Sequence, residues 1–195
     1  MKLFLCCLFL LIFSCQVAQG MVIRQVSLKE VVDLCTDVCV GLVDRLEAER
    51  DPWSGMIYTL ATIRVEECTL GAVQDSELTV KTLGGEVGDI GVFVPGAAVL
   101  EEGEEVLLFL VDDGEGSYRV IPGAMGKYTI TEDPFTGQKS ATNSVEGIQA
   151  IEGSAGEGSA HLAERTSKEG SINGPLPRQI LLDNLIELIG KAKWR

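Results

Sequence analysis

The side chains here that could make bonds or hold a metal are few. Of six cysteines, Cys6, Cys7 and Cys15 lie in an apolar N-terminal stretch expected to be removed, which leaves Cys35 and Cys39 four residues apart and Cys68 further on. A closed zinc site wants four soft ligands, and a fourth is missing. His161 is the one histidine, and it sits in a Gly/Ser-rich stretch that cannot hold an imidazole rigidly beside a nucleophile. Asp112-Asp113-Gly114-Glu115 and Glu101-Glu102-Gly103-Glu104-Glu105 could attract calcium, but neither has the spaced oxygen ligands and closing Glu of a calcium loop. Gly84–Gly91 is glycine-rich without the Lys-Ser/Thr pair of a phosphate loop, and it reads as a turn with a bulge. Carboxylate pairs are plentiful, yet nothing fixes their separation for glycosidase-type chemistry. No catalytic, cofactor-binding or metal-ligating residue is assigned, so the chain is read as a non-enzyme without a cofactor.

The cysteines must be positioned by strands. Ile57–Gly71 is the longest strand-like run, rich in Thr, Ile, Val and Tyr. Ile57, Thr59, Ala61, Ile63 and Val65 share one face at a period of two. The alternation slips at Glu66-Glu67, which predicts a β-bulge and a bend. Cys68 lies in this strand. Val38–Val43 before it is a continuous apolar run, predicted as a strand buried on both sides, and it carries Cys39. Cys35 ends a short helix over Leu28–Cys35, opened by the capping box Ser27–Glu30. Three thiols allow one bridge. Cys39–Cys68 and Cys35–Cys68 both remain open, as do unpaired buried thiols.

Further strands are predicted at Glu77–Leu83, Ile90–Val94, Val106–Val111, Ser117–Ile121 and Lys127–Thr131, with an edge strand at Lys139–Asn143. Asp51–Gly55, Asp112–Gly116 and Asp133–Gly137 read as turns. Short strands separated by turns at intervals of about ten residues predict a sandwich or barrel. The bend in the long strand favours the barrel, since closure of a small sheet requires strongly coiled strands. The expected fold is mainly β: a small closed or partly open antiparallel OB-like barrel over residues 21–146. Residues 147–175 are rich in Gly, Ser, Ala and Glu and read as a flexible linker. A C-terminal amphipathic helix is expected over 176–195, opened by Pro177. Its apolar face either docks on the barrel or meets a partner. Trp53, Leu181, Leu185, Leu188 and Trp194 are the candidate partner contacts.

Lys2 followed by Leu3–Phe13 reads as a secretory signal peptide over residues 1–20, too short to span comfortably as a transmembrane helix. Ala18-Gln19-Gly20 offers cleavage before Met21, while Ile12-Phe13-Ser14-Cys15 resembles a bacterial lipobox that would lipidate Cys15. The formal net charge is −13, and it becomes −14 when Lys2 leaves with the first twenty residues. Such acidity repels phosphate backbones, so nucleic acid is excluded as a partner. The chain is expected outside the cytoplasm, periplasmic or extracellular, with no membrane span and at most a lipid anchor.

A resemblance adds to this. Val32–Val43, Trp53, Ile57–Tyr58–Thr59 and Val65–Gly71 follow one another as in uncharacterised exported bacterial proteins. The likeness continues through Gly84-Gly85, Gly103–Leu110 and Gly126-Lys127-Tyr128, covering about residues 27–131. The opening is also similar, more distantly, to the netrin-like domain of tissue inhibitors of metalloproteinases. That implies an OB-like barrel, an extracytoplasmic site and a binding role. The inhibitory mechanism does not carry over, because those inhibitors present an N-terminal Cys-x-Cys to the protease zinc and no such pair occurs here. The leading expectation is a non-enzymatic exported binding module for another envelope or exterior protein. A regulator of a secreted metalloprotease and an envelope lipoprotein with a structural role stand as alternatives.

Overall fold

The computed structural model describes residues 26–71, 76–121, 123–143, 172–173 and 176–193. The signal peptide, Cys15, His161, Trp194 and all but two residues of the expected linker lie outside the described residues. The elements run α1 (Leu28–Leu34), β1 (Asp37–Arg50), β2 (Ile57–Leu70), β3 (Glu77–Leu83), β4 (Gly85–Val87), β5 (Ile90–Val92), β6 (Glu105–Asp112) and β7 (Tyr118–Val120). A 3₁₀ turn (Gly123–Gly126) leads to β8 (Lys127–Glu132), β9 (Lys139–Thr142), β10 (Gln179–Leu181) and α2 (Leu182–Lys193).

Five strands close on themselves in the order β1-β2-β3-β7-β6 and back to β1. Every pairing in the ring is antiparallel except β3 with β7, which meet in parallel at Val80 and Tyr118. This is a small closed barrel of OB type. β1 makes closure possible. It pairs with β2 along its whole length and with β6 over Asp37–Leu42. Three register shifts bend the β1–β2 pair, and the extra residues are Thr69 and Glu66 on β2 and Asp44 on β1. The slip at Glu66-Glu67 is therefore a bulge in the folded chain. Gly41 sits between two of these irregularities. A Cβ there would lie 2.5 Å from the Arg64 carbonyl oxygen, so the two strands approach too closely for any other residue.

The apolar runs of β1 and β6 are buried on both faces. Val106, Leu108 and Leu110 point into the barrel with Cys39, Val43, Ala61, Ile63 and Val80. Leu107 and Phe109 point outward with Val38 and Val40, under the two helices. That outer cluster is widened by β8, β9 and β10, which extend the sheet from the far edge of β6. α1 starts with the expected capping box, in which Glu30 accepts the Ser27 amide at 2.9 Å and the Glu30 amide donates back to the Ser27 hydroxyl at 3.2 Å.

The C-terminal segment departs from expectation. Gln179–Leu181 form β10 against β9, so Lys139–Thr142 is not an edge strand and the helix begins at Leu182, not Pro177. Leu182, Leu185, Ile189 and Ala192 repeat at helical spacing and are buried in the outer cluster. Tyr128, fully buried, donates its hydroxyl to the Pro177 carbonyl at 3.0 Å and fastens this segment down. The apolar face of α2 thus belongs to the chain's own core. No helix among the described residues is long and apolar enough to cross a membrane.

Candidate functional site

β1 and β8 both run antiparallel to β6, so their turns leave the barrel toward the same end. The two turns are built alike. One reads Asp51-Pro52-Trp53-Ser54-Gly55, the other Asp133-Pro134-Phe135-Thr136-Gly137. In the first, the Asp51 carboxylate accepts the amides of Trp53 at 2.9 Å and Ser54 at 2.6 Å. In the second, the Asp133 carboxylate accepts the amides of Phe135 at 2.8 Å and Thr136 at 2.9 Å. Each loop is closed at its base by the glycine amide donating to the aspartate carbonyl, at 2.9 Å from Gly55 and 2.8 Å from Gly137. Both glycines are left-handed, with φ of 71° and 68°, a conformation that side chains resist.

Each turn holds an aromatic side chain out from the rest of the chain. Trp53 and Phe135 are each 95% exposed. An exposed aromatic ring leaves a large apolar area in water, and the backbone beneath each ring is fixed by three or more hydrogen bonds. The Ser54 amide donating to Asp51 and the Thr136 amide donating to Asp133 hold both carboxyls below the usual carboxylate range. Both turns therefore keep their charged, fully bonded form well into mild acid.

Beside the β1–β2 arm the same end carries a groove. β3 runs with β1, so the connection from Gly84 to Glu104 leaves and re-enters the barrel here. Its first part is the β4–β5 hairpin, where the residue pattern alone predicts a turn with a bulge and a separate short strand. The groove, about 600 Å³, lies between Leu46, Ala48 and Thr59 of the arm and the run from Val92 to Leu100. Val92 and Val99 are exposed along it, and Phe93 is 71% exposed. The run is pinned from below. Lys127 Nζ donates to the Val99 carbonyl at 2.6 Å and pairs with the Glu104 carboxylate at 2.7 Å, while the Thr129 hydroxyl donates to the same carboxylate. The Ala124 amide holds the Gly96 carbonyl at 2.9 Å.

The sequence-derived candidates sort differently. Trp53 is the one that stands at this end. Leu185 is fully buried, and Leu181 and Leu188 are half-buried, with Leu188 packed on the same cluster. A partner does not reach Leu185 here, because α2 closes its own core. Cys39 and Cys68 are joined by a disulfide across β1 and β2. Cys35 is on the opposite face of β1, under the helices, where its thiol donates to the Val32 carbonyl. That placement rules out the Cys35–Cys68 alternative. Burial pushes the Cys35 thiol up to about 11, so it stays protonated and unreactive. The acidic loop after β6 folds inward on itself, with Asp113 accepting the Ser117 hydroxyl and the Glu115 amide. Among the described residues no group of three His, Cys, Asp or Glu gathers to hold a metal.

Phe135, Phe93 and the groove were missed by the sequence reading. The signal existed for Phe135: both stretches read as turns, and Asp-Pro-aromatic-Ser/Thr-Gly occurs in each. Compared with known proteins, the chain matches no family model and no curated protein.

Proposed function

We propose that this chain is a non-enzymatic, exported binding module that docks another protein through the end of the barrel bearing Trp53 and Phe135. The observation that carries the reading is the duplicated turn, two rigid loops of the same design each holding a bare aromatic ring on the same side. Trp and Tyr, with other aromatics, dominate the energetic centres of protein interfaces because they bury a large area at little cost in side-chain entropy. The groove between arm and connection extends that surface with apolar side chains already fixed in place. The Cys39–Cys68 disulfide supports export, since such bonds persist in oxidising compartments. Barrels of OB type serve many unrelated roles, so the reading rests on the surface and not on the fold.

Selection of binders from a random displayed-peptide library on the full chain tests this. Recovered binders are expected to lose about 2 kcal/mol, roughly thirtyfold in affinity, for each of Trp53→Ser and Phe135→Ser. Both side chains are so exposed that the variants should melt with the parent chain. Binders whose affinity is unchanged by both substitutions would count against the proposal.

A further inference from the structure

The groove and its rim carry a charge imbalance. Glu86 is the charged residue in the groove lining. Glu102 stands at its edge, its carboxylate accepting the Leu46 amide at 3.0 Å. Glu101 lies in the adjoining hollow beside Phe93 and Val99, and Asp89 sits in the tight turn of the β4–β5 hairpin. Among the described residues, Glu86, Asp89 and Glu101 make no ion pair.

The cations of this end are already engaged. Lys127 is paired with Glu104 and bonded to the Val99 carbonyl. Arg50 donates to the Gly55 carbonyl at 3.2 Å, bracing the Trp53 turn. Lys81 lies over the Tyr58 ring, 4.4 Å from its centre. Arg45 is paired with Glu47 at 3.2 Å. Exposed carboxylates are left in excess around an apolar trough, within a chain whose formal net charge is −13.

Resting on the function proposed above, we infer that the occupant of the groove is an extended protein segment in which apolar side chains are flanked by Lys or Arg. The apolar side chains seat between Ala48 and Val92, and the flanking cations meet Glu86, Glu101 and Glu102. An anionic bilayer is disfavoured by the same carboxylates, although bare aromatic tips would suit a lipid surface. Oppositely charged rims also speed encounter and reject like-charged competitors.

The test uses the full chain and labelled short peptides with a central Leu-Phe pair flanked by Lys, by Ser or by Glu. Vesicles of phosphatidylcholine, with and without phosphatidylserine, serve as the lipid arm. The Lys-flanked peptide is expected to bind at least about tenfold more tightly than the other two. That preference should shrink severalfold between about 0.05 and about 0.5 M salt. The double variant Glu86→Lys, Glu101→Lys, at two exposed positions, should reverse it toward the Glu-flanked peptide. Equal binding of all three peptides, or binding to vesicles with none to peptides, overturns the inference. Neutral binders that still depend on Trp53 and Phe135 would overturn it too, while leaving the proposed function standing.

Discussion

Replacing both Cys39 and Cys68 by alanine is expected to lower the unfolding free energy by about 3–4 kcal/mol. The bond spans a sequence separation of 29, and loop-closure entropy for a loop of that size gives about 3.5 kcal/mol. Its position adds a structural reason. Cys39 pairs with Cys68 beside two of the register shifts, where the β1–β2 ladder is interrupted. Interrupted pairing supplies fewer hydrogen bonds to resist opening, so the covalent link does more there than it would in a regular ladder. Cys39 is also buried in the barrel, and its truncation leaves a small void. Denaturant unfolding of the double variant against the oxidised parent measures the loss. A change below about 1 kcal/mol would mean that the strand pair closes without help.

Leu185→Ala should destabilise by about 2–5 kcal/mol, the range for deleting most of a fully buried leucine. Leu185 has no solvent exposure, and it packs with Ile180, Ile189 and the outer faces of β1, β6 and β8. The prediction separates two roles for the C-terminal helix. A helix held in reserve for a partner would tolerate the change within about 0.5 kcal/mol, as exposed positions do. A helix that closes the second core cannot. Urea melts of the parent and variant, with their slopes compared, distinguish a packing loss from a change in the amount of structure formed.

Much of this architecture could be read from residue order because local and long-range preferences agree. The runs at Val38–Val43 and Val106–Val111 are apolar on both parities, and both strands are buried on both faces. The slip at Glu66-Glu67 marks a bulge because the period of two is broken while the apolar row continues. Gln179–Leu181 was illegible for the opposite reason. Its three residues follow Pro177 and precede a helical period, so only pairing with β9 makes them a strand. The terminal leucines were legible as an apolar face but not as to what covers it, since periodicity reports burial and not the identity of the neighbour. Trp53 could be singled out as a lone aromatic beside a turn. Its counterpart Phe135 required the two turns to be set side by side, and the groove required knowing that β3, β1 and β8 all point the same way.

Chemical-shift mapping of the isotopically labelled chain with a selected peptide tests the central claim most directly. Perturbed amides should cluster in three places: the turn around Trp53, the connection from Gly84 to Glu101, and the turn around Phe135. Perturbations concentrated instead on α2 or on the loop from Asp113 to Ser117 would contradict the account.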